Sequence, residues 1–130
     1  MECEPYLTAD HRLMVEQADA VWEGARIIRH ILGAKTVRIA IESNKPESIE
    51  AMEKAIQGAD GDVAVTVLPT EYPQGAEKQQ IFAVTGRRVP AGGLPMDIGA
   101  VVENVGTAVA IRDAVVLGRP LTERVTTVTG

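Results

Sequence analysis

The residues best suited to chemistry gather in Pro69-Thr70-Glu71-Tyr72-Pro73-Gln74-Gly75-Ala76-Glu77-Lys78. Before this stretch, Val63 to Leu68 has the length and β-branched content of a buried strand; after it, Gln79 to Val84 reads as a short helix. The stretch is therefore a strand-to-helix turn. In open parallel sheets ligands sit outside the carboxyl ends of the strands, where the first amides of the following helix have no intrahelical partner. Gly75 lets the backbone approach a ligand closely, Tyr72 offers a ring face and a hydroxyl, and Glu77 and Lys78 set opposite charges in the first helical turn. An ordinary loop with a solvated charge pair stands beside this as the alternative for the stretch taken alone.

The elements that must position this turn follow from periodicity. Ala18, Val21, Trp22, Ala25, Ile28 and Leu32 fall on one face of a long helix that Gly33 terminates, after a shorter helical turn at Leu13-Met14-Val15 capped by Thr8 or Asp10. Thr36 to Glu42 alternates as a strand. Asn44 or Lys45 then caps a helix that opens at Pro46, buries Ile49, Met52 and Ile56, and is closed by Gly58. Strand, helix and strand joined by short links imply a right-handed parallel crossover. Thr85 to Pro95 is too rich in Gly and Pro for regular structure, and its Arg87-Arg88 pair reads as solvated or paired with local acids. Ile98 to Val102 is expected as a further short strand, Glu103 to Thr107 as its turn, and Asn104 or Thr107 as the cap of a helix ended by Gly118. Leu121 to Gly130 reads as a last strand.

These elements predict an α/β fold: a Rossmann-like, mostly parallel sheet with helices on both faces, in three layers. A chain of 130 residues suits one domain. Pro5 disrupts any strand at the start and the tail strand has no partner, so residues 1–130 are expected to be an excised core, with 119–130 opening the next domain.

Composition removes several classes of function. A net charge of −5 without basic runs argues against nucleic acid, and 3% aromatic content leaves no stacking platform. No apolar run is long enough to enter a membrane directly. Cys3 is the only cysteine, so this chain alone builds neither a disulfide nor an iron–sulfur cluster. His11 and His30 stand apart without ligand partners at metal spacing and read as surface or helix-end residues, so no metal is expected. No Walker-type run, G-x-G-x-x-G, G-x-S-x-G elbow or Cys/His/Asp set is present, and no catalytic side chain is assigned.

In a parallel sheet the strand-to-helix turns emerge on one edge, so Glu2 to Tyr6, Tyr72 to Lys78 and Glu103 to Thr107 should converge, joined by Ser43 to Lys45. Their carboxylates, amides, tyrosine and glycines suit a flat, polar-edged heterocycle better than a bare phosphate, which would call for more cations.

The strings Glu2 to Met14, Tyr72 to Gln79, Pro90 to Pro95 and Val102 to Thr107 resemble the C-subunit family of the Rnf ion-translocating electron-transport complex, RnfC. More distantly they are similar to the flavin-bearing, NADH-oxidising subunit of respiratory complex I. The resemblance implies an FMN-binding domain that accepts hydride from NADH. It implies FMN contacts at Glu2, Cys3, Tyr72, Gly75, Glu77, Asn104 and Thr107, with Glu4 and Glu77 facing NADH. It also implies an NADH:acceptor oxidoreductase that passes electrons to iron–sulfur clusters carried elsewhere in the full-length protein. Partners would be the other Rnf subunits, and the location the cytoplasmic face of the bacterial inner membrane, held peripherally through the complex. The glycine-rich upstream segment, downstream β-rich domain and cysteine motifs of the family do not occur in these residues, so the isolated fragment is expected to be inactive and to bind FMN weakly or not at all. Alternatives are the flavin core of a related corrin (cobalamin) reductase and a non-catalytic nucleotide-sensing or docking module.

Overall fold

A computed structural model describes residues 6–71 and 76–128. In chain order these form α1 (Ala9–Glu16), α2 (Ala18–Leu32), β1 (Thr36–Glu42), α3 (Pro46–Ala55), β2 (Asp62–Leu68), α4 (Glu77–Thr85), a 3-10 turn (Pro95–Ile98) and α5 (Val105–Leu117). β1 and β2 are parallel and pair from Thr36 opposite Asp62 to Glu42 opposite Leu68, with α3 as the crossover. Alternation puts Val37, Ile39 and Ile41 on the same face as Val63 and Val65. That face carries the core: Ile39 and Ile41 join Leu13, Met14, Val21, Met52 and Val109, so α1, α2, α3 and α5 supply one helical layer. Leu68 has the opposite parity and is buried outside that cluster, as is Ile81 of α4. Because α4 contacts both strands, it forms the third layer on the other face. The Rossmann-like α/β expectation is met.

Three contacts hold this frame together. Gly24 lets α2 approach α5 so closely that a Cβ there would lie 2.0 Å from the Ala108 carbonyl oxygen. Arg112 reinforces the same pair of helices, its Nε 2.8 Å from Glu23 Oε2 on α2 and its guanidinium 2.8 Å from Asp113 Oδ1. At the amino end of the sheet Arg29 donates to the Asp60 and Ala34 carbonyls at 2.6 and 3.2 Å, tying α2 to the turn before β2.

Several sequence expectations are corrected. Ile98 to Val102 is not a strand. Pro95 opens a 3-10 turn, Asp97 Oδ2 accepts from the Leu94 amide at 2.8 Å, and Gly99 ends the turn at φ 66°. The 121–128 part of the expected tail strand has no ladder, and Thr127 instead uses its hydroxyl to accept from the Thr8 amide at 3.0 Å. An apolar run becomes a strand only beside a free strand edge in register, and among the described residues only β1 and β2 find one. At α1, Thr8 is the N-cap but makes no side-chain cap, while Asp10 lies inside the first turn. Arg88 is exposed, in keeping with a solvated reading, and its guanidinium also lies over the Phe82 ring, 4.5 Å from its centre.

Candidate functional site

The carboxyl edge of the two strands is laced by side chains from turns that are distant in sequence. Next to the strand ends, the Ser43 amide donates to the Leu68 carbonyl at 2.8 Å and its hydroxyl lies 3.4 Å from that of Thr70, joining the turn after β1 to the turn after β2. Lys45, the N-cap of α3, reaches the Leu7 carbonyl with Nζ at 3.5 Å. That bond brings in the segment leading to α1. From α1, Asp10 Oδ2 accepts from Asn104 Nδ2 at 2.8 Å and so reaches the turn before α5. Residues 7–11, 43–48, 68–70 and 104–106 thus form one connected rim.

Each side chain is set by its element. Asn104 is extended at φ −75°, ψ 146°, the N-cap conformation, and its Oδ1 accepts from the Gly106 amide at 2.7 Å, which resolves the choice between Asn104 and Thr107 as cap. Gly106 leaves room for this bond, since a Cβ would lie 3.0 Å from Asn104 Oδ1, close enough to push the capping oxygen by a few tenths of an ångström. Thr107 follows in the first turn of α5, half-buried. Glu77 is the first residue of α4 and is exposed, with Lys78 beside it. Among the described residues no hydrogen bond joins it to Asn104 or Thr107. Glu2, Cys3, Glu4, Tyr72 and Gly75 lie outside the described residues.

The rim also contains a contact that sequence spacing hides. His11 Nδ1 lies 2.6 Å from Ser48 Oγ, and Nε2 lies 3.3 Å from Glu47 Oε2. Ser48 has no solvent exposure, so its hydroxyl cannot meet a substrate; the Ser, His and Glu group serves to dock α1 on α3. Local spacing gives His11 no acidic partner, and Glu47 supplies one from a distant helix. The only local hint is the place of Glu47 in the first turn of an amphipathic helix.

Other features lie elsewhere. The Asp62 carboxyl is held below its ordinary value, chiefly by the hydrogen bond from Arg38, but Asp62 opens β2 at the end of the sheet remote from the rim. A groove of about 400 Å³ lies between α5 and residues 119–123 and includes none of the expected site residues. Among the described residues no cluster of His, Cys, Asp and Glu is placed to hold a metal ion. No helix among them is long and apolar enough to cross a membrane.

A parallel β-α-β crossover flanked by helices on both faces, its turns gathered at the carboxyl edge, defines the class: a Rossmann-like α/β ligand-binding domain. Within that class, the family described as the Nuo51 FMN-binding domain matches residues 1–113, and the chain belongs to it. The chain is 58% identical over 99% of its length to the C-subunit of the proton-translocating ferredoxin:NAD(+) oxidoreductase complex of Clostridium ljungdahlii, covering 28% of that protein. It is 54% identical to the C-subunit of the ion-translocating oxidoreductase complex of Haemophilus influenzae, again over 99% of the chain and covering 20% of the relative. The corresponding protein of Erwinia tasmaniensis is 53% identical and 16% covered. The resemblance read from the sequence is thereby borne out, and the chain spans under a third of the length of these relatives.

Proposed function

We propose that the rim is one side of an FMN site and that this domain serves as the flavin module of the C-subunit in an Rnf-type ion-translocating oxidoreductase. The observation that carries this is the hydrogen-bonded connection of Asp10, Asn104, Lys45, Ser43 and Thr70, which gathers turns from distant parts of the chain at one sheet edge. The donor set fits the group. Asn104 offers a second Nδ2 hydrogen that has no partner among the described residues, the Glu77 and Val105 amides open α4 and α5 without an intrahelical acceptor, and the Glu77 carboxylate offers an acceptor for ribityl or ribose hydroxyls. The cofactor contacts assigned are Glu2, Cys3, Tyr72, Gly75, Glu77, Asn104 and Thr107, with Glu4 and Glu77 toward NADH.

The chemistry supplied by FMN bound there is acceptance of a hydride from NADH and one proton from water, leaving NAD+ and reduced flavin, before electrons move to iron–sulfur clusters elsewhere in the longer subunit. The chain's own residues supply orientation. Asn104 directs an N–H donor across the edge, Glu77 accepts hydroxyls, and Gly75 is assigned the close backbone approach. No side chain needs to act as nucleophile or base. The domain has no membrane-crossing helix among its described residues, so its place is proposed as peripheral, at the cytoplasmic face and against the other subunits of the complex.

The test is flavin content of the purified complex carrying Asn104→Ala or Glu77→Ala in the longer subunit. Both variants should release non-covalent FMN on gel filtration and lose NADH-dependent bleaching of the visible flavin band. Parental flavin retention in both would reject the assignment of the site.

A further inference from the structure

We propose that Asp10 is a positioning residue that fixes the side-chain amide of Asn104 and thereby couples the first turn of α1 to the turn before α5; this rests on the reading of Asn104 as a flavin contact. Asn104 Oδ1 is committed to the Gly106 amide at 2.7 Å. With the oxygen on that side, Nδ2 must lie on the other, where Asp10 Oδ2 takes one of its hydrogens at 2.8 Å. An ionised carboxylate only accepts, so Asp10 selects the amide nitrogen. The flipped amide would set oxygen against oxygen at Asp10 and N–H against N–H at Gly106.

Helix formation alone does not require this second anchor. The cap of α5 is made by Oδ1 and Gly106, and an acidic residue in the first turn of α1 is favourable whatever stands opposite. What the Asp10 bond adds is direction. Asn104 is exposed at the rim, and one anchored atom would leave its amide plane free to turn; two anchors leave its remaining N–H one orientation. The support behind Asp10 is firm as well, because α1 is pinned to α3 through His11 and Ser48, and the Leu7 carbonyl is held by Lys45. The first turn of α1 and the turn before α5 therefore move as one body.

The experiment uses the longer subunit in its complex, comparing Asp10→Ala, Asp10→Asn and, as a stability control remote from the rim, Asp62→Asn. Asp10→Ala should weaken FMN retention about tenfold, the worth of one lost hydrogen bond to a charged group, and shift the visible flavin band and midpoint potential. Asp10→Asn keeps an acceptor for Nδ2 and should restore retention, band and potential, while Asp62→Asn should leave all three at the parental values. Parental retention and spectrum in Asp10→Ala, equal damage in Asp10→Asn, or equal loss in Asp62→Asn would each overturn the inference. If Asp10→Ala does not assemble, Asp10→Asn decides alone: parental flavin behaviour supports the positioning role and a tenfold loss rejects it. Flavin retained in Asn104→Ala would instead reject the underlying site assignment; flavin lost there but held normally in Asp10→Ala would reject only the role of Asp10.

Discussion

Asp10 and Asn104 stand 94 positions apart in the chain and meet at 2.8 Å, carboxylate oxygen to amide nitrogen. The pairing explains why residue 104 is Asn, since Asp caps a helix equally well. An aspartate at 104 would still accept from the Gly106 amide but would face Asp10 with a second negative charge. Asn104→Asp is expected to cost roughly 0.5–1 kcal/mol at neutral pH and low salt, as for other exposed charge pairs. Adding Asp10→Asn should recover most of it. Urea unfolding of the single and double variants measures both; a neutral Asn104→Asp would show that Asp10 turns aside freely.

Gly24 sets two effects against each other. Alanine is the better helix former by about 1 kcal/mol, so on propensity alone Gly24→Ala should stabilise α2. Its Cβ, however, would stand 2.0 Å from the main-chain oxygen of Ala108, and a backbone oxygen in a helix has no rotamer to escape by. Helices α2 and α5 must part, and overpacking of this kind costs about 1–3 kcal/mol. The expected net outcome is destabilisation with α5 less protected in amide hydrogen exchange. A higher unfolding midpoint in Gly24→Ala would contradict the close crossing.

How much of this is legible in the sequence depends on the range of the forces involved. The β1, α3 and β2 unit can be read because Thr36 to Glu42 and Val63 to Leu68 are β-branched runs and Pro46 sits at the first helical position. The cap at Asn104 is legible for the same local reason. Ile98 to Val102 has strand composition, yet the Asp97 carboxylate and Gly99 close a turn, and among the described residues it pairs with no strand. Among the proposed site residues, Glu77, Asn104 and Thr107 can be picked out from their places at the start of a helix. The bonds of Asp10 to Asn104, Ser43 to Thr70 and His11 to Ser48 cannot, because each partner lies 27 to 94 positions away and local periodicity carries no trace of it.

The acid end of the stability profile should depend on Asp62, at the opposite end of the sheet from the rim. Arg38 donates to Asp62 Oδ1 at 2.6 Å and the Thr36 hydroxyl to Oδ2 at 3.2 Å, and these bonds favour the ionised carboxylate. They hold its pKa below the ordinary 3.8, the Arg38 hydrogen bond being the largest cause and partial desolvation opposing it. A folded value below the unfolded one means that the unfolded chain takes up the proton first. The stabilisation is therefore complete above the unfolded aspartate value of about 3.9 and is lost as pH falls through the lower folded value. Asp62→Asn should be less stable than the parent by a constant margin from neutral pH down to about 5, and the two urea midpoints should converge below about 4. A gap that persists undiminished into strong acid would mean that Arg38 recognises the shape of the side chain at 62 and not its charge.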